Sequence, residues 1–129
     1  MITEVLRFNL LSPISYTPIP EADPFAYKEE NGETLFCFEL EEAHRQSIEP
    51  DKSRLLGQLV PAKELPTGQY LFAQKRELLC KDEILNMAVE IQQEGLWQRL
   101  KLGTKLYLRY LFEDGSIVTQ LFRNLTTND

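Results

Sequence analysis

The sequence is poor in the residues that build metal sites and disulfide frameworks. Histidine occurs once, at His44, and the two cysteines, Cys37 and Cys80, lie far apart in a chain of 129 residues. No second nitrogen or thiolate ligand lies at a useful spacing from the histidine, which excludes the common zinc patterns. We therefore expect no metal, no cofactor and two free thiols.

Long apolar runs and a surplus of positive charge are also missing. No segment approaches the roughly 20 apolar residues of a membrane span, and the first residues carry no secretory signal. The chain has 14 basic and 20 acidic residues, a net charge of −6, whereas nucleic-acid binding depends on cations that neutralise phosphates. The composition predicts a cytoplasmic protein that binds neither nucleic acid nor membranes.

What is present is typical of one globular domain. Apolar residues make up 43% of the chain and charged residues 26%, which are ordinary values. A chain of this length buries about two-thirds of its unfolded surface. We expect a single domain over residues 1–129 with a core that needs no metal or disulfide.

Alternating apolar side chains predict strands in the first half of the chain. Met1–Leu11 has one apolar face, as expected for a half-buried strand. The Pro-rich stretch 12–24 follows, and we interpret it as an extended connection because proline disfavours helix. Asn31-Gly32 favours a hairpin turn that leads into a strand over Thr34–Leu40.

The second half predicts further strands around one helix. The pattern of apolar residues predicts strands over Arg54–Val60 and Gln69–Lys75. Lys81–Glu94 places apolar residues at helical spacing, and Gly95 is a natural C-terminal cap. With a closing hairpin, this order predicts an α+β fold: an antiparallel sheet of about five to six strands, with one main helix over about 81–94 on one face.

The closing hairpin is predicted by Asp114-Gly115 between two β-rich runs. With a two-residue turn, Leu108 faces Leu121 on one side and Tyr107 faces Phe122 on the other. Both faces are then apolar, but a single helix covers only one of them. The second face requires the Pro-rich connection, a ligand or a partner subunit as its cover.

One segment carries a family resemblance. The segment is Leu65-Pro66-Thr67-Gly68-Gln69-Tyr70-Leu71-Phe72, and the helix and the closing hairpin follow it. Over about residues 54–125, this order resembles the GyrI-like family of small-molecule-binding (effector-binding) domains. The resemblance implies a curved sheet of two strand-helix-strand-strand units with a ligand groove between them. The Pro-rich connection stands where the family has its first helix, so the first unit is degraded.

The resemblance implies a hydrophobic or amphiphilic ligand, with a regulatory role exerted through a separate partner. The family's glutamate for cationic ligands or hydrolysis is matched here by Leu108, which argues against both properties. The groove would be lined by aromatic side chains, with a carboxylate to orient the ligand. The candidates are Tyr70, Phe72, Trp97, Tyr107, Tyr110 and Glu39.

Two alternatives belong to other functional classes. The first is a protein-interaction subunit, in particular a homodimer formed through the 106–123 hairpin. The second is an enzyme, for which no complete catalytic constellation can be assembled. Glu39, Glu41 and Glu90 are the carboxylates nearest to apolar elements, and nothing in the sequence brings them together. We therefore expect a binding protein rather than an enzyme.

Overall fold

The computed structural model describes residues 4–18, 23–25, 33–40 and 58–126. The predicted Asn31-Gly32 turn, residues 54–57 of a predicted strand, Glu41 and His44 lie outside this part of the chain. The elements in chain order are β1 (Leu6–Leu10), β2 (Ile14–Ser15), β3 (Thr34–Glu39), β4 (Val60–Pro61), β5 (Glu64–Leu65), β6 (Gly68–Lys75), α1 (Lys81–Trp97), β7 (Leu102–Glu113) and β8 (Ser116–Leu125).

Six of these strands form one antiparallel sheet in the order β1-β6-β8-β7-β3-β4. The helix α1 packs against β6, β7 and β8. The predicted α+β class, with an antiparallel sheet and one main helix, is confirmed. β2 and β5 pair with each other in a separate two-stranded sheet. That small sheet was not predicted, because the sequence indicated only a connection and a turn at these positions.

The closing hairpin has the predicted register. Leu108 pairs with Leu121 and Tyr107 pairs with Phe122. The turn residues Asp114 and Gly115 have φ values of 51° and 77°, as expected for the two-residue turn that matches strand twist. Both strands are longer than predicted, since β7 begins at Leu102 and β8 ends at Leu125.

A bulge interrupts this hairpin near the start of β7. Leu102 pairs with Leu125 and Leu106 pairs with Arg123, so residues 103–105 lie opposite the single residue 124. The Asn124 Oδ1 atom accepts a hydrogen bond of 2.8 Å from the Lys105 N–H. A Cβ at position 103 would overlap Asn124 Nδ2, so a larger residue there would displace the Asn124 side chain. The bulge bends β7 and redirects the side chains at this end of the sheet.

The helix continues three residues past its predicted end at Glu94, and the prediction of Gly95 as its cap is wrong. Gly95 lies inside the helix and is buried. A Cβ on Gly95 would lie 2.6 Å from Leu102 Cδ2 and 2.9 Å from Leu71 Cδ1. Glycine therefore serves close approach of α1 to the sheet rather than helix termination.

The helix ends in a Schellman motif built around Arg99. The Arg99 N–H donates to the Leu96 carbonyl at 3.1 Å, and the Leu100 N–H donates to the Gly95 carbonyl at 2.9 Å. Arg99 has a φ of 60°, the left-handed conformation that usually belongs to glycine at this position.

Replacing Arg99 by glycine is expected to raise the free energy of unfolding by about 1 kcal/mol, because a left-handed residue with a side chain costs roughly 1–2 kcal/mol. Gln98→Gly is the matched control and is expected to lower the free energy of unfolding, since Gln98 has a φ of −79°. Glycine there adds unfolded-state entropy and removes the exposed hydrogen bond from Gln98 Nε2 to Glu94 Oε1. Urea denaturation measures both variants. Equal stabilities of the two variants would contradict the assignment of strain to Arg99.

The helix-facing side of the sheet holds the larger core. Leu71, Leu108 and Leu121 come from the three central strands, and Ile84 and Ile91 come from α1. All five side chains are buried. This core joins α1 to the three central strands of the sheet.

The second face carries a separate apolar group, which we call the aromatic cluster. Ile14 and Tyr16 from the Pro-rich connection pack against it. Of the three covers considered for the hairpin's second face, the chain itself is the one observed. Ile14 and Tyr16 pack against the cluster that contains Tyr107 and Phe122, which are 4% and 0% exposed, and the Phe8 ring of β1 lies 5.5 Å from the Phe122 ring. The surface on which dimerisation through the 106–123 hairpin was predicted is therefore occupied by the chain itself at these residues. The buried members of the cluster are Leu35, Leu65, Tyr70, Tyr107 and Phe122, with Phe8 and Phe72 at its margin.

Candidate functional site

Three of the predicted site residues come together on the second face. Tyr70 and Phe72 lie on β6 at alternate positions, and Tyr107 lies on β7. The rings of Tyr70 and Tyr107 meet edge to face with centroids 6.0 Å apart, and Phe72 stacks on Phe122 at 5.1 Å. Alternation along neighbouring strands places these rings on one face.

Glu39 lies at the same end of the sheet. It pairs with Lys105 across β3 and β7, and its side chain is exposed. Its charge contributes to the raised pKa of Tyr107, which places the carboxylate in the surroundings of that phenol. Glu39 is therefore close to the tyrosines without being buried among them.

Trp97 and Tyr110 do not join this group. Trp97 lies in the last turn of α1 and is 81% exposed. Tyr110 lies on the helix-facing side, where its hydroxyl donates to the Pro24 carbonyl at 2.6 Å. The reason is strand periodicity, because residues three apart on a strand point to opposite faces. Tyr107 and Tyr110 therefore cannot line one groove.

An open pocket of about 220 Å³ lies beside the two clustered tyrosines. Residues 66–70 form one wall, Lys105 and Tyr107 of β7 form another, and Asn124 and Leu125 of β8 complete the lining. The pocket lies at the β7 bulge, which brings Lys105 and Asn124 to its rim.

A second recess adjoins the first on the side of β1. It has a volume of about 330 Å³ and is lined by Arg7, Phe8, Asn9, Gln69 and Tyr70. Because Gln69 and Tyr70 line both spaces, they separate the two recesses. The Arg7 guanidinium lies 3.5 Å from Gln69 Oε1.

Sequence reasoning missed Lys105, Asn124 and Gln69 as lining residues. The predicted hairpin had no irregularity, so it gave no reason to bring Lys105 and Asn124 together. The signal that could have found them is Gly103, since a glycine inside a strand often marks a bulge.

The tyrosines of the pocket are neutral at ordinary pH. Burial, followed by smaller effects of Cys37 and Glu64, raises the pKa of Tyr70 to about 12. Burial also raises the pKa of Tyr107, with Cys37 as the next cause. The Tyr70 hydroxyl donates to the Pro66 carbonyl. These phenols stay protonated and are therefore not bases near pH 7.

Both thiols are free, as predicted. Cys37 is half-buried beside Tyr107, and burial raises the pKa of its thiol. A thiol with a raised pKa is a weak nucleophile, because the thiolate is the reactive form. Cys80 is exposed at the start of α1. Cys37 therefore contributes packing to the pocket surroundings rather than nucleophilic chemistry.

Arg109 organises the other end of the aromatic cluster. Its Nε donates to Gln120 Oε1 at 2.6 Å, and its Nη1 donates to the Tyr16 hydroxyl at 2.9 Å. The guanidinium lies 4.8 Å from the centroid of the Phe122 ring, within the range of a cation–π contact. Arg109 thus connects the sheet to the Pro-rich connection that covers it.

Among residues 4–18, 23–25, 33–40 and 58–126, no group of three or more His, Cys, Asp or Glu residues could hold a metal ion. In the same ranges, no helix is long and apolar enough to cross a membrane. The chain matches no family model, no curated protein and no solved structure. The GyrI-like resemblance therefore stays a prediction that depends on residues 65–72 and on the order of the elements.

Proposed function

We propose that the protein binds a small amphiphilic molecule in the pocket beside Tyr70 and Tyr107. The proposal depends on one observation: two buried aromatic rings and the polar groups of Gln69, Lys105 and Asn124 meet at one open recess. Ligand sites typically combine apolar walls with a few placed polar groups. The apolar part of the ligand lies against the tyrosine rings, and its polar part faces the rim.

The volume of the pocket limits the ligand to about one ring. An apolar cavity of roughly 150 Å³ is enough to hold benzene, whereas sites for drug-sized ligands measure about 300–1,000 Å³. At about 220 Å³, the pocket accommodates a single ring with a polar substituent.

The chemistry of the lining favours binding over catalysis. The pKa of Tyr70 is about 12, so this phenol stays protonated. Lys105 is exposed at the rim, where it interacts with a charged substituent without paying a large desolvation cost. The tyrosines supply contact area with few rotatable bonds, which reduces the entropy lost on binding.

Calorimetric titration with benzyl alcohol, benzoate and benzylamine tests the proposal, because these probes share a ring and differ in charge. We expect the neutral probe to bind with a dissociation constant in the millimolar range, because a ligand with so few atoms gains little binding free energy. Lys105→Met is expected to lower the ratio of benzoate affinity to benzylamine affinity by roughly two- to fivefold, the size of an exposed charge interaction.

Lys101→Met is the matched control, because Lys101 is also exposed, lies directly before β7 and does not line the pocket. It is expected to leave the affinity ratio unchanged. Thr67→Trp fills the recess and is expected to abolish binding of all three probes. No binding of any probe to the unmodified protein, or equal effects of the two lysine substitutions, would overturn the proposal.

A further inference from the structure

Residues 11–18, which we call the strap, cover the aromatic cluster, and few bonds join them to the other residues that the structure describes. β2 pairs with β5 over only two residue pairs. The Tyr16 N–H donates to the Lys63 carbonyl at 2.7 Å, and Arg109 donates to the Tyr16 hydroxyl at 2.9 Å.

The strap is also less buried than the cluster beneath it. Ile14 and Tyr16 are only half-buried, whereas Tyr70 and Phe122 of the cluster are 2% and 0% exposed.

β5, the partner of the strap, is attached firmly to the body of the protein. Leu65 is fully buried. The Ala62 N–H donates to the Leu35 carbonyl at 2.8 Å, and the Tyr70 hydroxyl donates to the Pro66 carbonyl. The seam between β2 and β5 is therefore weaker than the attachment of β5 to the six-stranded sheet.

We infer that the strap is a lid over the aromatic cluster. It separates from β5 while the six-stranded sheet stays folded, because segments with few bonds and little buried surface open at lower free energy than the core. Lifting the strap joins the pocket at Tyr70 and Tyr107 to the space above Phe122. Ligands larger than one ring then bind only to the lifted form.

The strap also indicates what a larger ligand must carry. The Tyr16 hydroxyl accepts a hydrogen bond from the half-buried Arg109, and a donor that loses its acceptor in a partly buried place is costly. A ligand that displaces the strap therefore offers an acceptor, such as a sulfonate or carboxylate, to Arg109 and an aromatic body to the cluster. The ligand part of this inference depends on the proposed function, whereas the opening of the strap does not.

Native-state hydrogen exchange tests the opening. The Tyr16 amide is expected to exchange by a local opening with little dependence on urea, whereas the Leu121 amide, in a central strand, exchanges only through global unfolding with full dependence on urea. Tyr16→Phe removes the bond to Arg109 and is expected to speed exchange at position 16 about tenfold or more. Equal exchange free energies and equal urea dependence at both amides would overturn the lid.

A reversible crosslink tests what the lid controls. Ser15 and Glu64 are paired across the seam, so Ser15→Cys with Glu64→Cys, in a chain also carrying Cys37→Ala and Cys80→Ser, closes it on oxidation. We expect anilinonaphthalene sulfonate to bind the reduced protein at least tenfold more tightly than the oxidised protein, as measured by fluorescence titration. Benzyl alcohol should bind both forms equally.

The outcomes separate the two proposals. Equal binding of anilinonaphthalene sulfonate to the oxidised and reduced forms would overturn the control of access by the strap. Local exchange at Tyr16 without binding of either probe would overturn the proposed function and leave the opening of the strap intact.

Discussion

Replacing Arg123 by alanine is expected to lower the free energy of unfolding by at least about 4 kcal/mol. Arg123 is 2% exposed on the helix-facing side of β8. Its Nε donates to the Gly103 carbonyl at 2.9 Å, and its Nη1 donates to Gln92 Oε1 at 2.8 Å. Alanine deprives two buried acceptors of these donors, at about 1–3 kcal/mol each, and leaves a cavity that adds about 2 kcal/mol or more.

Urea denaturation measures this loss, with Arg7→Ala as the control. Arg7 is exposed, and its removal is expected to change stability by less than about 0.5 kcal/mol. Arg123→Lys keeps the charge but lacks the planar guanidinium with its several N–H donors, so an intermediate loss of free energy of unfolding is expected. A change of less than about 1 kcal/mol for Arg123→Ala would contradict a structural role of the buried guanidinium.

Arg123 also links stability to the pocket. Its bond to the Gly103 carbonyl holds the first residue of the β7 bulge, and the same bulge places Lys105 beside Asn124. We infer that the buried guanidinium fixes the bulge from one face of the sheet while the pocket opens on the other. Loss of Arg123 should therefore disorganise the pocket as well as destabilise the core.

Raising the pH above about 10 is expected to unfold the protein cooperatively. Burial is the largest cause of the raised pKa values of Tyr16, Tyr70, Tyr107 and Tyr110, and Tyr70 reaches about 12. Tyrosine in the unfolded chain ionises near pH 10. The stability from these residues is complete below that value and is lost as the pH rises toward the folded values.

Each affected tyrosine removes up to about 1.4 kcal/mol of stability per pH unit in this window. Circular dichroism and tyrosine absorbance at 295 nm, followed together from pH 8 to 12, measure the loss. We expect ionisation of the buried phenols to coincide with unfolding. Tyr110→Phe is expected to make the loss less steep. Full ionisation of all tyrosines in a protein that stays folded would contradict their burial.

The parts of the fold that depend on local sequence were predicted from it. The register of β7 and β8 is set by the Asp114-Gly115 turn and by the alternation on either side of it. Once the two turn residues are fixed, each residue of β7 has one possible partner on β8. The end of α1 was not predictable in this way. Glycine is the residue that usually caps a helix C-terminus, so Gly95 looked like a cap in the sequence. Its actual role depends on Leu71 and Leu102, which approach it only in the folded protein.

The candidate site was predicted only in part, for a related reason. Strand periodicity places Tyr70, Phe72 and Tyr107 on one face and Tyr110 on the other, so the last of these could have been excluded from the sequence alone. The cover could not be assigned, because β2 and β5 pair over only two residue pairs and are far apart in the chain. The bond from Arg109 to Tyr16 joins residues separated by 93 positions, and such contacts leave no local signal.

The most direct test of the pocket is chemical-shift mapping of the amides with benzyl alcohol, together with proton contacts between the ligand ring and the protein. We expect shifts confined to residues 67–70, 105–107, 124 and 125, which are the lining residues that carry an amide together with Leu106 between two of them, with ring contacts to Tyr70 and Tyr107. Shifts centred on Trp97 or Tyr110, or no shifts up to the solubility limit of the probe, would contradict a ligand site at this end of the sheet.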